Sequence, residues 1–173
     1  RAIHALSKMF PFKDHHGSAL GIDLADEASG RITVCPSLIE MDRTGFRCQF
    51  DARVPLCATK ENCSDVVEAV CKSHGFTVAG EMELGHQVPA DSKFVQVLLR
   101  CYEEETGKVG KCMAIGGGTY VHNIPGGVAF GAGDMEFDSH LHGANERARV
   151  SALMQAARIY ANVIVELCGE EDA

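Results

Sequence analysis

The sequence predicts a mixed fold: an α+β sandwich, with helices on one face of an antiparallel sheet, followed by a segment of α/β character. Three observations predict it. Residues 46–54 alternate strictly between apolar and polar side chains, which is the period of a strand with one face in water. Stretches near 64–74, 92–106 and 147–167 carry apolar residues at helical spacing. Beyond residue 110, short apolar runs lead straight into glycine loops, the strand, loop, strand, loop order of α/β chains.

Ala2, Ile3, Leu6, Met9 and Phe10 are already helically spaced, and the chain opens on Arg1 without a methionine, which points to a start that is not the natural one. After Pro11 the run DHHGSALGIDLADEASG, rich in Gly, Asp and Ser, reads as a connection with a short helical turn. Residues 32–41 read as a strand interrupted at Pro36, where the missing ladder N–H requires an edge or a bulge. DRTG at 42–45 is a turn. The strand 46–54 then places Phe46, Cys48, Phe50, Ala52 and Val54 on one face and Arg47, Gln49, Asp51 and Arg53 on the other.

Asn62 or Ser64 can cap a helix running to His74, with Val66, Val67, Val70 and Cys71 inward and Gly75 past its end. Phe76, Val78, Gly80 and Met82 alternate as a further strand, completing a ββαβ unit. Periodicity stops between His86 and Asp91, which divides the chain into domains at 1–88 and 89–173. Asp91 or Ser92 caps the next helix, whose stripe is Phe94, Val97, Leu98, Cys101 and Tyr102 and whose stop is Gly107. Strands are expected at 111–115 and 128–130, either side of the glycine run. The last helix, 147–167, presents Val150, Leu153, Met154, Ala157, Tyr160, Ala161 and Ile164, a stripe that should cover a sheet. GEEDA at the end reads as a solvated tail.

The balance of 16 Lys and Arg against 24 Asp and Glu, without a basic stripe, argues against nucleic acid as a partner. No apolar run approaches the roughly 20 residues of a membrane span, so a protein without a membrane partner is expected. The eight cysteines form no CxxC pair and mostly sit among apolar residues, the pattern of buried reduced thiols in a cytoplasmic protein.

Three places hold residues that could carry chemistry, each with two readings. Gly116, Gly117 and Gly118 could form a turn that needs positive φ, or a nest of backbone N–H groups for an anion. His140 and His142, near Asp134, Glu136, Asp138 and Glu146, have the composition of a metal site, yet in an extended segment the two rings would point to opposite sides. Arg53 is either a solvated charge on its strand or a ligand-binding residue.

Together, QFDARVP, SKFVQVLLRCYEEETG, IGGGTYVHNIPGGVAFG and HGANERARVSALMQAARIYANVIVEL resemble, in order and spacing over residues 30–168, the zinc dipeptidases related to bacterial dipeptidase V and the carnosinases. These belong with aminoacylase and glutamate carboxypeptidase. The resemblance implies a partial lid domain at 1–88, of a kind that also serves as a dimer surface, and the closing segment of an α/β catalytic domain at 89–173. It implies that His142, before Gly143, Ala144, Asn145 and Glu146, is a zinc ligand, and that Arg53 binds the substrate carboxylate or the tetrahedral intermediate. Gly117, Gly118 and Thr119 would meet the substrate carboxylate, and His122 stands where these enzymes commonly carry an arginine.

The implied activity is hydrolysis of dipeptides by water activated between two zinc ions. The other zinc ligands and the general-base glutamate would come from a preceding catalytic segment, since no HxD motif and no Glu-Glu pair before a lid is found here. A zinc site needs at least three protein ligands, so the chain alone is expected to be inactive. The competing reading is a non-catalytic lid-type module that pairs with a second copy through its sheet edge.

Overall fold

The computed structural model describes residues 2–131 and 137–169. The protein mixes helices with small antiparallel sheets, in the order α1 (Ala2–Met9), β1 (Ala25–Asp26), β2 (Gly30–Arg31), β3 (Thr33–Met41), β4 (Phe46–Arg53), α2 (Asp65–Ser73), α3 (Lys93–Thr106) and α4 (Val150–Cys168). Two compact units are formed, one from Arg1–His86 with Ala114–Gly118, the other from Gln87–Met113 with Thr119–Ala173.

The first unit is built on the β3–β4 hairpin, whose register runs from Thr33↔Arg53 to Met41↔Phe46. The register shifts between Pro36 and Leu38, so the proline sits at a bulge and the skipped Ser37 donates its hydroxyl to the Gln49 carbonyl at 3.2 Å. The turn between the strands is held by Asp42, whose carboxylate accepts from the amides of Thr44 (2.7 Å) and Gly45 (2.9 Å). Along β4, residues 46, 48, 50 and 52 are half-buried and residues 47, 49, 51 and 53 exposed, as the alternation requires.

The core gathers Met9 of α1, Val34 of β3, Val67 and Cys71 of α2, and Leu20, Ile22 and Ile32. The last three are completely buried. The run 14–30 is therefore more than a connection. Its polar residues replace backbone pairing: Asp14 accepts from the amides of His16 (3.2 Å), Ser18 (3.1 Å) and Ala19 (2.8 Å), which turns Leu20 and Ile22 inward. Gly17 lies at φ +67, and a Cβ there would come within 2.8 Å of Ile22 Cγ1. Asp23 grips Arg31 with two bonds, Nε to Oδ1 at 2.7 Å and Nη2 to Oδ2 at 2.5 Å.

The α2 cap differs from expectation. Thr59, not Asn62 or Ser64, is the N-cap; a π turn, Lys60–Ser64, precedes the α-helix, and Asn62 reciprocates the cap. A second difference is general. Residues 76–82, 111–115 and 128–130 form no strand, and among the described residues the sheets are two-stranded, β1–β2 and β3–β4. A strand needs a neighbour for its N–H and C=O groups. Alternation here records packing instead: Phe76 lies against Phe46 with ring centroids 5.6 Å apart, Met82 packs on the first core, and Val128 and Phe130 on the second.

In the second unit, the Ser92 hydroxyl caps α3 by accepting from Val95 N–H at 3.3 Å, and Gly107 closes it at φ +68. The core joins Val97, Leu98 and Cys101 of α3 to Ile159 and Val163 of α4. Ion pairs Arg100–Glu166 and Arg158–Glu105 run alongside. Thus α4 packs through Ile159 and Val163, with Ala152 and Ala156 half-buried on the same side. The expected stripe is the exposed one: Val150, Leu153, Met154 and Ile164 are each more than half exposed, and Tyr160 is 42% exposed. The helix is apolar on two sides, and the sequence does not say which side finds α3.

Cys63, Cys71 and Cys101 are buried; Cys35, Cys57, Cys112 and Cys168 are exposed, so burial of most thiols is not what the fold provides. All eight are free of disulfides. No helix among the described residues is long and apolar enough to cross a membrane.

Candidate functional site

Arg53 ends β4 on its exposed face. Its Nη1 donates to the Gly116 carbonyl at 2.9 Å and its Nη2 to Asp51 Oδ2 at 3.2 Å. Asp51 stands two residues back along the strand, on the same face. A guanidinium carries five N–H donors, and these two bonds use two of them. The side chain is 48% exposed, and the ion pair is of the solvent-screened kind.

The glycine loop does not behave as a turn that needs glycine. None of Gly116, Gly117 and Gly118 has positive φ. A Cβ on Gly117 or Gly118 would meet nothing within 4 Å, and one on Gly116 would rest 3.7 Å from Arg53 Cβ, an ordinary contact. All three are exposed. Among the described residues, neither backbone strain nor internal crowding accounts for three glycines in a row.

Thr119 and His122 belong to the second unit, flanking a 3₁₀ turn, Tyr120–Asn123. The Thr119 amide donates to His122 Nδ1 at 3.2 Å, and the His122 amide donates to the Thr119 carbonyl at 3.2 Å. The His122 ring is thus turned onto its own loop, whereas an arginine there would reach further.

The histidine loop is not extended, so strand alternation does not separate its two rings. His140 (φ 54), His142 (φ 60) and Asn145 (φ 58) all adopt the left-handed region, where a non-glycine residue is costly. Hydrogen bonding separates the rings instead. His140 Nδ1 donates to the Ala144 carbonyl at 3.2 Å, and its Nε2 lies 3.2 Å from Asp138 Oδ2. The Gly143 amide donates to the His140 carbonyl at 2.7 Å, and Arg147 Nε to the Asp138 carbonyl at 3.2 Å. His140 is absorbed in closing the loop, while His142 is exposed and outside that network.

Asp134 and Glu136 lie outside the described residues. Among those described, no three His, Cys, Asp or Glu side chains are grouped to hold a metal ion. One exposed imidazole falls short of the three ligands that zinc requires, so the described residues do not by themselves fit a bound zinc.

With these features in place, the chain is similar in sequence to proteins named as dipeptidases. The chain is 32% identical over 172 residues to the Beta-Ala-Xaa dipeptidase of Lactobacillus delbrueckii subsp. lactis, covering 98% of this chain and 36% of that protein. It is 30% identical over 169 residues to a provisionally named dipeptidase of Staphylococcus saprophyticus, covering 96% of this chain and 36% of the relative. A similarly named protein of Staphylococcus aureus is 30% identical over 173 residues. The chain therefore spans little more than a third of the length of the curated relatives it matches. No protein-family model matches it.

Proposed function

We propose that this chain is the lid and closing catalytic segment of a metal-dependent dipeptidase, and that it holds the carboxylate end of a dipeptide. The observation that carries the reading is the glycine loop. Gly117 and Gly118 are exposed residues whose backbone N–H groups, with a guanidinium beside Gly116, suit a free C-terminal carboxylate, and among the described residues nothing crowds the glycines. Similarity to dipeptidases along nearly the whole chain supports the same reading. β-Alanyl dipeptides are reasonable substrates to test, because they share that carboxylate.

His142 is the residue in this reading that would contribute to the metal, the remaining ligands coming from chain beyond this sequence. The exposed apolar side of α4 supports that reading, since a stripe containing Val150, Leu153, Met154 and Ile164 marks an interaction surface. By itself the chain is proposed to be inactive.

The test uses the complete protein. Arg53→Ala should cut dipeptide hydrolysis strongly while bound metal is retained, and His142→Ala should lose both. Unchanged metal content and hydrolysis in His142→Ala would remove that residue from the site, and metal loss in Arg53→Ala would give the arginine a different role.

A second reading has its own observation. β3 pairs only with β4 among the described residues and exposes Leu38, Ile39 and Met41. An open apolar edge of this kind suits pairing with a second copy. Concentration-dependent dimerisation of an isolated chain that fails to restore hydrolysis to the rest of the enzyme would favour this module.

A further inference from the structure

We propose that Arg53 also acts as the positioning residue of the glycine loop, fixing Gly117 and Gly118 before any ligand arrives. The inference rests on the reading that this loop receives a carboxylate, and it concerns how the loop is held.

Gly116 lies 63 residues from Arg53 in sequence, and Gly116–Gly118, within the first unit, belong to no helix or strand of their own. Three exposed glycines in a row have more backbone freedom than any other tripeptide, so an unsupported loop would present its N–H groups in many directions. One hydrogen bond at the head of the run changes that. Arg53 Nη1 donates to the Gly116 carbonyl at 2.9 Å, and the side-chain stem lies against the same glycine, Cβ and Cγ being 3.7 and 3.8 Å from where a Gly116 Cβ would sit.

Fixing the Gly116 carbonyl orients the peptide plane that carries the Gly117 N–H, because the two groups share one rigid unit. Asp51 completes the device. Its carboxylate accepts from Nη2 at 3.2 Å, so the guanidinium is drawn from two sides and its planar fork cannot swing freely. In a trans peptide the Gly117 N–H points away from the carbonyl that Arg53 holds, so a carboxylate on the loop would meet an amide whose direction is already set. Such alignment removes ordering cost from binding.

The test is NMR on the 173-residue chain, comparing wild type with Arg53→Ala and Arg53→Lys and using acetate as the probe. In Arg53→Ala the Gly117 and Gly118 amides should shift and their heteronuclear NOE values fall toward those of a free loop. Methyl signals of Leu20, Ile22 and Ile32 should stay in place, showing an intact core. Arg53→Lys, which keeps one donor for the Gly116 carbonyl, should restore loop order but bind acetate more weakly than wild type. Loss of order in both variants would assign positioning to the two-sided fork.

Wild-type loop signals in Arg53→Ala would overturn the proposal. If Arg53→Ala unfolds the first unit, Arg53→Met, which keeps the apolar stem but carries no donor, is read by the same criteria. Acetate that shifts neither glycine amide in the wild type sinks the carboxylate reading by itself, while the loop-order comparison still decides the positioning role.

Discussion

The Thr59 hydroxyl accepts from the Asn62 amide at 3.2 Å while the Asn62 side-chain oxygen accepts from the Thr59 amide at 2.7 Å. This reciprocal cap starts the helical segment five residues before α2 proper and brings Cys63 and Val67 into the first core. Thr59→Ala should destabilise the first unit by about 1 kcal/mol, and the double variant with Asn62→Ala should cost less than the two single losses added. Urea unfolding followed by far-UV circular dichroism measures it, and strictly additive losses would mean that the two caps act separately.

Because Ile159 is fully buried against α3 and Leu153 is 59% exposed, the two sides of α4 should respond differently to truncation. Ile159→Ala should destabilise the second unit by about 2–5 kcal/mol, and Leu153→Ala or Ile164→Ala by no more than about 0.5 kcal/mol. Thermal melts of the isolated chain decide between the two stripes. Equal losses on both sides would mean that α4 is rotated from the orientation described.

Glycines in this chain are required for different reasons. Gly17→Ala should lower the melting temperature, since its backbone is left-handed and its Cβ would press on Ile22. Gly118→Ala, at ordinary φ with open space around it, should leave stability unchanged or raise it by up to about 1 kcal/mol. In the complete protein the same Gly118→Ala should raise KM for dipeptides. An unchanged KM would leave the glycine run without its proposed partner.

Acid should loosen the first unit through Asp26. Its carboxylate accepts from Ser29 N–H at 2.7 Å, from the Ser29 hydroxyl and from Cys57 N–H at 3.0 Å, which holds its pKa down, from 3.8 to about 2. A folded-state pKa below the unfolded one means that the stabilisation is full above about pH 4 and is lost as pH falls through 2. Asp26→Asn should therefore melt lower than wild type at neutral pH, with the gap closing between pH 4 and 2. A gap of constant size across that range would assign the loss to shape, with charge playing no part.

How much of the fold is legible in the sequence follows from the range of the interactions. β4 is readable because burial with period two is written along one short segment, and the bulge at Pro36 follows from a missing N–H. The ends of α3 are readable for the same reason, since Ser92 and Gly107 act on their own helix. The strands expected at 76–82, 111–115 and 128–130 do not form because pairing is a property of two segments, and one segment's alternation cannot report its neighbour.

The candidate residues divide along the same line. The sequence by itself determined which residue types were available: a guanidinium on the wet side of a strand, three glycines together, two histidines two apart. Only the tertiary structure decided that Arg53 holds the Gly116 carbonyl, that among the described residues nothing crowds Gly117 or Gly118, and that His140 closes the loop on which His142 stays exposed. The physical reason is distance along the chain. Local hydrogen bonds and periodicities are fixed by neighbours in sequence, whereas the face that α4 buries and the partner that Arg53 finds depend on what folding brings alongside.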